Sequence, residues 1–138
     1  YEGHEHIGFS FEPDSALGTV LFDRILLRQA LINLIKNSIE AMHDSGTIAM
    51  ATQLREDEAV IWIRDTGPGI APDDLSAIFE PTFSRKQGGS GLGLAIVQKI
   101  VLEHGGRIEC VSAPGEGAEF IIHLPTGGEE TLGEDSDR

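Results

Sequence analysis

Cysteine is almost missing from this chain: Cys110 stands alone among 138 residues. An internal disulfide is therefore excluded, and a thiolate metal cluster is not expected without a second sulfur ligand. Its setting, "RIECVSA", suits a small buried strand residue better than a reactive thiol. Basic side chains are scarce as well, ten Lys and Arg against 23 Asp and Glu, for a net charge of −13. That balance opposes any role that depends on neutralising nucleic-acid phosphates, so no nucleic-acid partner is expected. Although 40% of residues are hydrophobic, no apolar run is long enough to span a bilayer, and no internal repeat is present. The first residues lack the basic, apolar and small-residue regions of a secretory leader, so none is expected there.

What is present suits one domain with a buried core. Residues 1–126 read as the folded unit. The last twelve, "GGEETLGEDSDR", carry five acidic groups and one arginine with few large apolar residues, and read as an acidic disordered tail over 127–138. The remainder still holds nine basic and eighteen acidic residues, net −9.

Near the start, "HIGFSFE" (6–12) alternates apolar and polar residues, which suits a strand with one buried face. Asp23 can cap a helix over residues 23 to about 43, because Leu27, Leu31, Leu34, Ile35 and Met42 form an apolar stripe at helical spacing. "DSG" (44–46) stops it. Two strand-like runs follow, "TIAMATQL" and "AVIWIRD", with the charged turn "REDE" between them. "TGPGI" breaks the pattern, and Pro72 with Asp73 and Asp74 predicts a short helix to about residue 79. Residues 80–90 hold turn formers and basic side chains without periodicity and read as a mobile loop. From Gly91, "LGLAIVQKIVLEH" predicts a second long helix, apolar on nearly every side and therefore buried, ended by Gly105 and Gly106. "RIECVSA" and "AEFIIHLP" close the chain as strands around the turn "PGEG". The order β, α, β, β, α, α, β, β predicts an α+β two-layer sandwich, with helices on one face of a mixed, mostly antiparallel sheet.

Four features could carry chemistry. On the first helix Gln29, Asn33, Lys36, Asn37 and Glu40 share one face. A solvated polar face would look the same. Asparagine, however, holds a helix less well than glutamate or lysine, and its amide oxygen is a neutral ligand suited to Mg²⁺. The second feature is "DTGPG" (65–69) at the end of a hydrophobic strand. It fits a plain turn, a carboxylate placed to accept a hydrogen bond from an exocyclic amine, or half of an aspartic-protease dyad. The third, "GGSGLGL" (88–94), leads into a helix and could aim backbone N–H groups at an anion. It matches neither the P-loop nor the dinucleotide fingerprint. The fourth is Arg85 with Lys86, two of only ten basic residues, beside that glycine run. Together they describe a site for Mg²⁺ and an adenine nucleotide.

"NLIKNSIEAM", "DTGPGI", "IFEPTFSRK" and "GGSGLGLAIV", in that order, resemble the ATP-binding catalytic domain of bacterial sensor histidine kinases. That domain belongs to the superfamily shared with gyrase, the ninety-kilodalton heat-shock chaperone and the mismatch-repair ATPases. The wording is closest to the nitrogen-regulation type, and the resemblance covers residues from about 5 to 126. It implies the Bergerat-type α/β sandwich, with ATP held between helices and a lid. By position, Asn37 would be the Mg²⁺ ligand and Asn33 its neighbour at the phosphates. Asp65 would receive the adenine amine, with Gly67 and Gly69 shaping that pocket. Phe79 and Phe83 match the aromatic box, and Gly89, Gly91 and Gly93 would cradle the triphosphate beside Lys86. Lys36, Ile70, Arg85, Ser90, Leu92 and Leu94 complete the nucleotide set, and Asn33, Asn37 and Lys86 are the residues assigned to catalysis.

Hydrolysing relatives usually carry a glutamate at the place of Asn33; an amide cannot act as a base. A neutral imidazole acceptor needs none, so the resemblance implies transfer of the γ-phosphoryl group to a histidine. That histidine would lie on a separate dimerisation domain, since none of the five histidines here matches its motif. The other implied partners are a response-regulator receiver domain and, in the full-length protein, a second copy. The domain itself would be cytoplasmic without direct membrane contact, whether or not the parent protein is anchored in the inner membrane. One departure is Ala118 in "GEGAEF", where the family commonly has a threonine. The competing readings are a non-catalytic ATP- or ADP-sensing module and, more distantly, a dimeric aspartic protease.

Overall fold

Asp23 starts the first helix through its side chain. Its Oδ1 accepts hydrogen bonds from the N–H groups of Ile25 (3.0 Å) and Leu26 (3.1 Å), two of the donors that a helix start leaves without partners. The helix, α1, runs Arg24–Met42. The computed structural model describes residues 7–12, 23–42, 46–80 and 93–125. Most of the expected loop at 80–90 and the acidic tail lie outside these. The elements are β1 (Ile7–Glu12), α1, β2 (Gly46–Arg55), β3 (Glu58–Asp65), α2 (Pro72–Leu75), α3 (Gly93–Glu103), β4 (Arg107–Ser112) and β5 (Ala118–Pro125).

The five strands form one sheet in the order β1-β2-β3-β5-β4. β1 and β2 are parallel, as a pair joined through a helix can be, and every other pairing is antiparallel. The register puts Ala59, Ile61 and Ile63 of β3 opposite Leu124, Ile122 and Phe120 of β5. The helices pack over this face. Ala30, Leu34 and Met42 of α1, Ile78, and Leu94, Val97, Ile100 and Val101 of α3 join it in one buried cluster. The expected mixed, mostly antiparallel two-layer sandwich is the one observed.

Two helices differ from expectation. α2 stops at Leu75, after which the chain tightens into turns. The N–H groups of Ala77 and Glu80 bond carbonyls three residues back, at Asp74 (2.9 Å) and Ala77 (3.0 Å). α3 is two-faced instead of buried all round, with Leu102 57% exposed beside the Lys99–Glu103 ion pair (2.7 Å). His104, just past α3, ties its end to the start of α1. The Asp23 N–H donates to Nε2 (3.2 Å), so Nδ1 carries the hydrogen that bonds the Ile100 carbonyl (2.8 Å). No helix among the described residues is long and apolar enough to cross a membrane.

The opposite sheet face is not bare. The Arg55 guanidinium lies 5.0 Å over the Trp62 ring, and buried His123 contacts Glu58 (3.1 Å) through Nδ1 and Glu109 (2.6 Å) through Nε2. Arg107 donates to Glu58 as well (2.8 Å). Slight burial pushes the Glu58 carboxyl up, but the hydrogen bonds from His123 and Arg107, with their charge, prevail and hold it below its ordinary 4.5. A lowered folded value means that this carboxylate adds stability above pH 4.5 and loses it as the pH falls through the folded value. Because the group is partly exposed, the effect should stay below about 1 kcal/mol. Glu58→Gln should therefore be less stable than wild type in urea near neutral pH, with the gap closing in acid. A gap that persists once the carboxyl is protonated in both folded and unfolded protein rules out the carboxylate as its source.

Candidate functional site

β3 ends on a buried carboxylate. Asp65 is 4% exposed, and its Oδ1 accepts the backbone N–H groups of Gly67 (2.9 Å) and Ala118 (3.2 Å). Among the described residues Oδ2 has no donor of its own. This is a carboxylate whose orientation is fixed by one oxygen while the other is left for a further donor.

The turn that follows is stitched on both sides. Thr66 donates its N–H to the Thr47 carbonyl (3.2 Å), and its Oγ1 accepts the Thr47 N–H (3.0 Å). On the other side the Ser112 hydroxyl accepts the Ile70 N–H (2.8 Å) and donates to the Gly117 carbonyl (2.6 Å), while the Gly115 N–H reaches the Pro68 carbonyl (2.6 Å). Gly69 sits at φ +82°, and a Cβ there would lie 2.0 Å from the Ala113 carbonyl oxygen. The glycine lets two loops touch backbone to backbone. A Cβ on Gly67 would meet Asp65 Oδ1 at 3.1 Å and Met42 Cγ at 3.2 Å, which brings the last turn of α1 against the carboxylate turn.

The polar stripe on α1 divides. Gln29, Lys36 and Glu40 are exposed, whereas Asn33 and Asn37 are half-buried on the flank turned toward the core. Ser38, beside Asn37, is fully buried, and its Oγ has no hydrogen-bond partner. Ile70 is half-buried, and half-buried Phe79 packs edge-on against Phe120, ring centroids 6.3 Å apart at 78°. Gly93 opens α3, followed by buried Leu94. Phe83, Arg85, Lys86, Gly89, Ser90, Gly91 and Leu92 lie outside the described residues. Of the expected site residues, then, Asp65, Gly67, Gly69 and Ile70 form one turn, and α1 with Asn33 and Asn37 runs up to it.

One contributor escapes a reading of motifs. Ser112 is a short polar residue on the partly buried face of β4 with Ile108 and Cys110, and that mismatch is the signal that would have found it. Cys110 shares a strand with Ser112. Burial first, then the Asp65 and Glu119 carboxylates, push its thiol up to about 12, so it is inert at neutral pH. No group of three or more His, Cys, Asp or Glu side chains among the described residues could hold a metal. A cation here would depend on amide oxygens and on its ligand's own phosphates.

The chain matches the family model described as "Histidine kinase-, DNA gyrase B-, and HSP90-like ATPase" over residues 22–128. It is 42% identical to the sensor histidine kinase ZraS of Klebsiella oxytoca over 125 residues, 90% of this chain and 27% of that protein. The chain thus spans about a quarter of this curated relative's length. Among solved structures, the catalytic domain of histidine kinase ThkA has a TM-score of 0.78 at 35% identity, covering 88% of this chain and 80% of that one. Full-length ShkA in complex with AMPPNP has a TM-score of 0.79 at 34% identity, covering 88% of this chain and 26% of that one.

Proposed function

The chain belongs to the family of histidine kinase-, DNA gyrase B- and HSP90-like ATPases, and on that premise we propose that it is the Mg-ATP-binding catalytic domain of a two-component sensor histidine kinase. The observation that carries this is Asp65, a buried carboxylate at a strand end with one oxygen fixed by backbone donors and the other left over. An exocyclic adenine amine is a fitting donor for it. The folded unit is assigned to residues 1–126, which adds β1 to the matched span of 22–128.

The remaining residues fit the same group. Gly67 and Gly69 keep side chains out of the adenine end, Ile70 and Phe79 flank it, and Asn33, Lys36 and Asn37 line the helix that approaches it. Asn37 offers the neutral oxygen for Mg²⁺, which when bound offsets phosphate charge. Gly93 and Leu94, with Phe83, Arg85, Lys86, Gly89, Ser90, Gly91 and Leu92 before them, are assigned to the triphosphate and its cover, where the positive end of α3 favours an anion. In the proposed reaction a histidine nitrogen on a separate dimerisation domain attacks the γ-phosphorus. The bond to the bridging oxygen breaks, and ADP departs with its electron pair. Asn33 cannot take a proton, and a neutral imidazole acceptor does not require it, so positioning and charge carry the rate. The partners that follow are that dimerisation domain, a response-regulator receiver domain, and a second copy of the parent protein.

The test combines this chain with the isolated histidine-bearing hairpin of its parent and γ-labelled ATP. Label should appear on the hairpin histidine only with Mg²⁺, and Asn37→Ala should lower the transfer rate by about a hundredfold or more. Nucleotide binding without any transfer would instead favour an ATP- or ADP-sensing module. An aspartic protease would leave the family membership and the α1 amides unexplained.

A further inference from the structure

Hydrogen bonds close a ring around the carboxylate turn, and the Ser112 side chain joins its two halves. The Ile70 N–H donates to Ser112 Oγ (2.8 Å), and the hydroxyl hydrogen goes on to the Gly117 carbonyl (2.6 Å). That carbonyl and the Ala118 N–H belong to one planar peptide unit. The same N–H donates to Asp65 Oδ1 (3.2 Å), which also accepts the Gly67 N–H (2.9 Å). The chain from Gly67 to Ile70 completes the circuit.

The sheet places these groups in one row. Asp65 of β3 and Ser112 of β4 both stand opposite Ala118 of β5, on its two sides. Ser112 is therefore about two strand spacings, roughly 10 Å, from Asp65 along that row, and the link between them is the Gly117–Ala118 peptide. A planar unit turns as a plate, so a bond that fixes its carbonyl also fixes the direction of its N–H. Gly117, at φ +75°, has no side chain to restrict that plate. The Ser112 hydroxyl supplies the restriction, and by polarising the carbonyl it makes the Ala118 N–H a better donor to the carboxylate. The loops do not depend on it to stay together. The Gly115 N–H and Pro68 carbonyl bridge them backbone to backbone (2.6 Å).

Resting on the reading of Asp65 as the residue that receives the nucleotide, we propose that Ser112 is a positioning residue: through the Gly117–Ala118 peptide it fixes the aim of the Asp65 carboxylate, and through the Ile70 N–H it holds the turn closed around it. Its effect on nucleotide binding is exerted through Asp65.

The experiment is a double-mutant cycle on ADP affinity, followed by amide NMR titration in wild type, Ser112→Ala, Asp65→Asn and the double variant, with a thermal melt of each. Ser112→Ala should bind ADP about tenfold more weakly than wild type, the size of one lost hydrogen bond. Ser112→Thr, which keeps the hydroxyl, should return to within about twofold, and Ser112→Cys, a weaker donor, should fall between. In the Asp65→Asn background the bond to be aimed is already lost, so the Ser112→Ala change should cost less than about twofold. In the ligand-free protein the Ala118 amide proton should move upfield in Ser112→Ala, as its peptide loses polarisation. A serine that only stabilised the fold would lower the melting temperature and leave ADP affinity within about twofold of wild type, which overturns the proposal. A tenfold loss that recurs in the Asp65→Asn background, or that persists in Ser112→Thr, overturns it as well. Asp65→Asn binding ADP as tightly as wild type would instead remove Asp65 from the nucleotide site, and this inference with it.

Discussion

Replacing Asp65 by asparagine should weaken ADP binding by about a hundredfold or more while the fold survives. In one orientation the amide oxygen takes over the role of Oδ1 and accepts the Gly67 and Ala118 N–H groups. The NH₂ group then faces the adenine amine, donor against donor. In the flipped orientation the NH₂ group faces the two backbone donors, which is worse for the protein and leaves the same buried site under-satisfied. The first orientation wins, so the cost falls on the ligand: a charge-assisted bond is lost and a repulsive pair replaces it. Calorimetric titration with ADP reads this without involving metal or phosphoryl transfer. An affinity within about threefold of wild type, in a protein with an unchanged melting temperature, would remove Asp65 from the adenine site.

The second large effect lies in the turn between β4 and β5. Gly115 and Gly117 adopt almost the same backbone angle, φ +81° and +75°, but their surroundings differ. A Cβ on Gly115 meets nothing within 4 Å, whereas one on Gly117 would lie 2.1 Å from the carbonyl oxygen of Asp65. Gly115→Ala should therefore lose only the conformational cost of a left-handed residue, about 1–2 kcal/mol. Gly117→Ala adds a collision with backbone that sheet pairing holds in place, and should lose about 4 kcal/mol or more, a large part of the 5–15 kcal/mol typical of a whole domain. Urea unfolding of the two variants isolates the collision, because the strain is common to both. Equal losses would mean that the close approach of Gly117 to Asp65 contributes nothing.

Much of the scaffold could be read from residue order alone. Asp23 followed by an apolar stripe specified α1 and its cap, and the alternating and apolar runs located every strand to within a residue or two. What could not be read was which strand lies beside which: β5 inserts between β3 and β4, and along it Ala59, Ile61 and Ile63 of β3 find Leu124, Ile122 and Phe120 as apolar partners, a fact of pairing and not of local pattern. α2 ran short because residues 76–80 close into turns with bonds three residues back, which periodicity does not register. In the site, the "DTGPG" turn was visible as chemistry but ambiguous, since glycine and proline also serve ordinary turns. The backbone donors gathered on Asp65 Oδ1 show how that carboxylate is held, which the letters alone do not. The α1 polar stripe looked uniform, yet burial separates Asn33 and Asn37 from Gln29, Lys36 and Glu40.

The parallel pairing of β1 has a practical side. The family match begins at residue 22, after β1 has ended, yet Ile7–Glu12 covers six positions of β2, from Gly46 to Ala51. A protein trimmed to the matched span would present that row of N–H and C=O groups to its neighbours, and residues 47–52, "TIAMAT", offer no charge or proline as gatekeeper. The six residues of β1, easily discarded as a preamble, are thus what covers this uncharged edge of β2.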